Sequence, residues 1–280
     1  MKNRILIIVI GLVVTGVLYV YVSGNKFHDR VNEEVRKVLH SGEGGTRKFV
    51  VRDMKSLPDP VRRYFRYALK DGKSIMDTVR IAMNGAFKMK ETDQWIPFEA
   101  NQYVSTKEPS YVWHATLRPL PYLWTEARDK YYQGRGTSEN RLLSAMPISY
   151  DAGREADLSA LARFLTEAPW FPTALLPSEN LEWKPVDSRS AKAVLRYNGY
   201  TVSVIFTMNE HGEIVKAMTS DRFRMIKGNR QQTPWSAHYR NYEEVQGMMV
   251  PREMETEWNL KDRSFVYAKS SVTGITYDEK

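Results

Sequence analysis

From about residue 77 onward, apolar side chains recur every second residue, and this period of two restricts the chain to pleated strands with one face turned from water. Val79, Ile81, Met83, Phe87 and Met89 stand on one side of the first such stretch, with Arg80, Asn84, Lys88 and Lys90 on the other. The pattern returns near the C-terminus, where Met254, Thr256, Trp258 and Leu260 alternate with Glu253, Glu255, Glu257 and Asn259. Such a sheet has one wet face. Further strands are expected at about 95–105, 111–117, 123–133, 193–197, 200–208, 213–224, 236–242, 252–260 and 264–277. Asn198-Gly199 supplies a hairpin turn signal between two of them.

Helical periodicity is confined to a few places. Asp59-Pro60 opens a helix to about residue 70 whose inner face is Val61, Phe65, Ala68 and Leu69, with Arg62, Arg66 and Lys70 as a basic stripe. A second helix is expected from Asp157 to about residue 168, with Leu158, Leu161, Ala162 and Leu165 inward. Pro169 stops it, and an apolar hook follows, Trp170-Phe171-Pro172-Thr173-Ala174-Leu175-Leu176-Pro177, too rich in proline to be regular. A sheet of this many strands must curl around something, and only these pieces can fill its inner face. The expected fold class is therefore α+β, predominantly antiparallel β: a strongly bent sheet or half-barrel with a few helices covering the concave face.

An N-terminal transmembrane helix is expected in addition. Residues 5–22, ILIIVIGLVVTGVLYVYV, carry no charge and as a helix span about 27 Å, enough to cross a bilayer. Ile5, Leu12, Leu18 and Val22 mark this anchor, and Tyr19 and Tyr21 suit its interfacial belt. A retained anchor is the preferred reading and a cleaved signal sequence the alternative; both place the rest outside the cytoplasm. Residues 1–24 then form the anchor or signal, 25–56 a juxtamembrane stalk helix (about 29–40) with a linker at Ser41–Gly45, and 57–280 an extracytoplasmic β-rich domain. The implied location is the cell membrane, single-pass. Lys26, Arg30, Arg36 and Lys37 after the segment outnumber Lys2 and Arg4 before it, so the positive-inside count runs against this orientation.

Composition narrows the chemistry. Cysteine is absent, which excludes disulfides, thiolate ligands and a cysteine nucleophile. The formal charge of +8 is spread along the chain without clusters, so no nucleic-acid footprint is read. The histidines His28, His40, His114, His211 and His238 show no ligand spacing, so no metal site is read and no cofactor motif is found. Gly134-Arg135-Gly136 reads as a turn or bulge rather than a phosphate loop. No catalytic residue is assigned; an enzyme would need carboxylates or histidines such as Glu126 with Asp129, or Glu167, Asp187 and His238, to converge in the fold.

One strand face is heavily loaded with aromatic side chains and methionine: Met83, Phe87, Met89, Tyr111, Trp113, Met208, Met254 and Trp258, with Trp170 and Phe171 of the hook as lid or plug. Methionine adapts to varied apolar partners, so a concave lining for an apolar or lipid-like ligand, or a lipidated peptide, is the leading reading. An ordinary core, a hydrolase whose carboxylates and histidines assemble only in the fold, and a ligand-free envelope interaction protein are the alternatives.

Several stretches together carry a resemblance: Leu57-Pro58-Asp59-Pro60-Val61-Arg62-Arg63-Tyr64, Trp95-Ile96-Pro97-Phe98-Glu99-Ala100, the run Ala162 to Pro172 with its Pro-Trp-Phe-Pro hook, Thr233-Pro234-Trp235, and Val272-Thr273-Gly274-Ile275-Thr276-Tyr277. With them the chain resembles a family of bacterial and archaeal membrane-anchored proteins built on a domain of unknown function. The resemblance covers about residues 57–277 and implies no activity, cofactor or catalytic residue. In architecture alone, the bent sheet with helices in its mouth looks like the periplasmic carriers of lipoproteins.

Overall fold

The computed structural model describes residues 2–41, 54–72, 74–226 and 228–278. Helices α1 (Lys2–Ser41) and α2 (Asp59–Ala68) precede six strands: β1 (Thr78–Phe87), β2 (Ile96–Ser105), β3 (Ser110–Leu120), β4 (Leu123–Tyr132), β5 (Arg135–Leu142) and β6 (Met146–Ala152). Helix α3 (Arg154–Glu167) then runs into two 3-10 turns, Ala168–Trp170 and Pro172–Leu175. The remaining strands are β7 (Leu181–Pro185), β8 (Ser190–Tyr197), β9 (Tyr200–Met208), β10 (Ile214–Thr219), β11 (Phe223–Ile226), β12 (Asn229–Gln232), β13 (Trp235–Val245), β14 (Met248–Asn259) and β15 (Ser264–Tyr277).

Thirteen strands make one antiparallel sheet in the order β6-β5-β4-β3-β2-β1-β15-β14-β13-β10-β9-β8-β7, while β11 and β12 form a separate hairpin. The β1–β15 ladder, from Val79 opposite Tyr277 to Phe87 opposite Ala268, joins an N-terminal meander to a C-terminal one. Bulges interrupt the ladders of β1 with β15 and β14 with β15, and bulges bend and twist strands. The sheet stays open at β6 and β7, and its alternating inward residues gather into one core, including Val79, Ile81, Tyr131, Val204, Phe206 and Tyr239. Asn198 and Gly199 both have positive φ (47° and 77°), the mirror-image turn that matches strand twist, so the hairpin signal marks the β8–β9 turn.

Helices α2 and α3 cover the concave face. Val61, Tyr64, Phe65 and Ala68 of α2 are buried, and Asp59-Pro60 opens the helix with Pro58 at the cap position. Helix α3 starts at Arg154, ahead of the expected Asp157, and Asp157 is buried, accepting hydrogen bonds from the Gly136 amide (2.7 Å) and the Tyr200 hydroxyl (2.7 Å). The hook departs from expectation in being partly regular: Pro169 and Pro172 sit in the first turns of two 3-10 helices, where no amide hydrogen is needed, while Pro177 lies beyond them. It is wedged into the core, with the Trp170 indole donating to the Pro251 carbonyl (3.0 Å) and the Tyr277 hydroxyl donating to the Trp170 carbonyl (2.6 Å).

The expected stalk is a second correction. Helix α1 is unbroken, and residues 23–41 lie against the convex face of the sheet instead of standing free. Phe27, Val31 and Val38 are buried with Val112 of β3. The convex face is therefore only partly wet. Residues 42–45 of the expected linker lie outside the described residues.

Candidate functional site

The concave side encloses a cavity of about 400 Å³ between β1–β3, β13–β15, α3 and the β11–β12 hairpin. Its walls include Met83, Phe98, Trp113, Met254, Trp258 and Phe265, and Trp170 closes it from the hook. Strand alternation puts these side chains inward, and the aromatic rings lock one another: Phe98 meets Trp113 edge-on at 5.9 Å, and Trp258 stacks on Tyr267 at 5.7 Å. Phe87, Met89, Leu117 and Met225 line it at the strand ends.

Of the residues expected to line a ligand site, Met83, Phe87, Met89, Trp113, Trp170, Met254 and Trp258 border this cavity. Three do not. Tyr111 is buried beside Tyr131 and faces a neighbouring hollow of about 180 Å³, Phe171 packs on Phe164 at 5.4 Å, and Met208 is buried within the core on β9. Met89 differs from the others, since β1 ends at Phe87 and its side chain is 71% exposed at the rim. Trp170 contributes as a buried floor, held by its bond to the Pro251 carbonyl.

Charges within this apolar wall are what periodicity did not reveal. Arg163 of α3 binds Asp129 (2.6 Å) and Glu167 (2.7 Å), lies over Tyr111 and Trp113, and Glu167 also accepts from Gln102 (2.7 Å). Burial disfavours a charged Arg163, yet Glu167 and Asp129 outweigh it and hold the guanidinium firmly protonated. Arg222 lies 4.8 Å from the Trp235 ring and 6.0 Å from that of Trp258, and Arg224 lies 5.6 Å from Phe265. Neither pairs with a carboxylate among the described residues, and the Arg222 Nε is buried without a hydrogen-bond acceptor. The cavity thus holds four cations, Lys88, Arg163, Arg222 and Arg224, against two carboxylates, Asp129 and Glu167. The Arg-x-Arg spacing at 222 and 224, an alternate-residue repeat entering β11, was the available signal.

The catalytic combinations do not assemble. Glu167 is in the cavity floor, Asp187 is exposed in the β7–β8 turn, and His238 bonds Glu257 (3.0 Å) on a neighbouring strand. Glu126 and Asp129 lie on opposite faces of β4, with Asp129 on Arg163 and Glu126 beneath α1.

A different group converges on the convex face, unseen in the sequence because its members come from α1, β3 and β4. His28, His114 and Glu126 present ligand atoms within 4.8 Å of one another, a geometry that could hold a metal ion. Here Glu126 accepts hydrogen bonds from His28 (2.9 Å), His114 (2.7 Å) and the Ser144 hydroxyl (2.6 Å). Burial alone would raise its pKa, but these bonds prevail and hold it at about 2. The cluster fastens α1 to the sheet.

Among solved structures, similar ones include an outer membrane lipoprotein-sorting protein domain from Vibrio parahaemolyticus (7% identity, TM-score 0.39, covering 87% of this chain and 93% of that one). A DUF1329 family protein from Desulfovibrio piger has 9% identity and a TM-score of 0.43, covering 79% of this chain and 91% of its own. A LolA superfamily protein from Nitrosomonas europaea has 12% identity and a TM-score of 0.39, covering 79% and 93%. No curated protein matches the sequence. Residues 47–270 match the model of DUF6544, a family of unknown function, and the chain belongs to that family.

Proposed function

We propose that this protein is a membrane-tethered, extracytoplasmic binding protein, not an enzyme, that holds a lipid-like ligand with an acidic head in the concavity of its sheet. The observation that carries the reading is the cavity of about 400 Å³, which lies within the roughly 300–1,000 Å³ of small-molecule sites. It is walled by aromatic residues and methionine and bears two guanidiniums without carboxylate partners. An apolar wall removes an acyl chain from water, whereas an unpaired cation in such surroundings is costly unless the occupant brings an anion. The ring contacts of Arg222 and Arg224 leave their outer N–H groups available for a carboxylate or phosphate. The apolar, uncharged residues 5–22 of α1, exposed along their length, support the tether.

The test compares lipids extracted from the purified full chain with those from two variants. Ala268→Trp fills the cavity from β15, and Arg222→Gln with Arg224→Gln removes the cations while keeping donors. The wild type should carry an acidic amphiphile near one per chain; Ala268→Trp should lose it, and the double glutamine variant should lose the acidic species while keeping neutral ones. Identical extracts from the wild type and Ala268→Trp would mean that only lipids around α1 had been recovered, and would overturn the proposal.

A further inference from the structure

Helix α1 fixes where the membrane lies relative to the sheet. One residue after Val22, the Ser23 hydroxyl donates to the Ala145 carbonyl (3.1 Å), and Gly24 packs on Ser144, both in the β5–β6 turn. Beyond that point α1 and β4 run side by side, His28 meeting Glu126 and Glu34 meeting Lys130. The beginning of β4 therefore points back toward the apolar half of α1. Antiparallel pairing places the β3–β4 turn, the β1–β2 connection, the β5–β6 turn and the β14–β15 turn at this same end of the sheet.

This end is unusually apolar. Among the described residues, ten large apolar side chains outside α1 are exposed, and six of them are here: Met89 and Trp95 on the β1–β2 connection, Leu120 and Tyr122 at the β3–β4 turn, Met146 and Ile148 at the start of β6. Tyr122 is 92% exposed. Exposed apolar side chains gathered at one end of a sheet, unlike ones scattered singly, mark an interaction site. The cavity reaches this end too, since Phe87, Met89, Leu117 and Phe265 border it at the same strand ends and Met89 is exposed there.

Taking α1 as the membrane anchor, as proposed above, we infer that this rim is a bilayer-contacting surface, seated in the headgroup layer of the membrane that α1 spans, with the cavity mouth facing the lipid. The distance permits little else. A rigid helix leaves less than one turn, about 5.4 Å, between Val22 and the β5–β6 turn. The interfacial layer on each side of a bilayer is about 5–8 Å deep. Tyrosine and tryptophan are suited to that layer, one end apolar and the other wet. Ligand would pass between bilayer and cavity without crossing bulk water.

The absence of native cysteine makes the test direct. Tyr122→Cys, Ile148→Cys and, as control, Glu210→Cys are each labelled with the fluorophore NBD in the full chain in phosphatidylcholine–phosphatidylglycerol nanodiscs, which leave both bilayer faces open to solution. Glu210 is exposed in the β9–β10 turn, beside α2 at the other end of the sheet. The inference expects blue-shifted emission at 122 and 148 and reduction by dithionite several-fold slower than at 210. Equal reduction at all three positions in a chain that enters the discs would overturn the rim while leaving the ligand proposal standing. A chain that fails to enter the discs would overturn the anchor and the rim together.

Discussion

Arg163 shows how a charge can be built into an apolar cavity. Its side chain, 17% exposed, is held by Asp129 and Glu167 and sandwiched against Tyr111 and Trp113. Truncating one partner of a buried ion pair leaves the other charge unpaired, typically at 3–5 kcal/mol. Arg163→Ala should therefore destabilise the protein by about 3 kcal/mol in urea titration, and adding Glu167→Gln should recover part of the loss. A neutral effect of Arg163→Ala would mean that water reaches these groups freely. The contrast with Arg222 and Arg224 is specific: both lack a carboxylate to strand, so their glutamine variants should leave stability nearly unchanged while acidic ligand is lost. The apolar lining was legible in the sequence because strands alternate, which picked out Met83, Trp113, Met254 and Trp258. Tyr111 and Met208 follow the same alternation yet lie outside the cavity, because period two separates inside from outside but cannot separate cavity wall from filled core; Phe171, on the hook, has no strand period to read. The Arg222-x-Arg224 spacing was there to be read, but what distinguishes these arginines from Arg163, the presence of carboxylates brought in by other elements, was not.

At the scale of elements, α1 is joined to the sheet by Glu126 and by a second junction in which Glu139 accepts from Arg30 (2.7 Å) and Arg141 (2.9 Å). Burial raises the Glu139 pKa, but those arginines reverse the shift and lower it. A carboxylate with a depressed folded pKa contributes stability above its ordinary value and loses it as pH falls through the folded value. For Glu126 the window runs from 4.5 down to about 2, worth about 3 kcal/mol in all. Acidification through this window should lower the amide protection factors of residues 24–38, with exchange taken relative to the intrinsic rate at each pH, and Glu126→Gln should flatten that dependence; protection that is constant with pH would contradict the docking. Close approach of α3 to β5 yields another expectation. A β-carbon on Gly136 would lie 2.4 Å from the Ala156 carbonyl oxygen and 2.7 Å from the Ala160 methyl, so Gly136→Ala should lower the melting temperature by several degrees. The elements themselves were unevenly readable. Strands β1, β9 and β14 stood out, whereas β5, Arg-Gly-Thr-Ser-Glu-Asn-Arg-Leu, escaped notice because one of its faces meets α1 through charges. Edge strand β6 was missed as well, its apolar residues facing outward at the rim.

For the whole molecule, the open half-barrel, its buried hook and the docked helix describe a cup with α1 mounted along its outer wall. The bent antiparallel sheet followed from counting one-sided strands against the few helices available to fill them. The mount did not follow, because the stripe of Val31, Val35 and Val38 fits a free stalk as well as a helix lying on a sheet. Whether the cup holds an occupant is read by native mass spectrometry of the full chain, released from detergent at the gentlest activation: the expected result is the chain mass plus one amphiphile, shed on activation as a single acidic lipid-like species and missing from Ala268→Trp. A bare chain mass under all conditions would contradict the proposal.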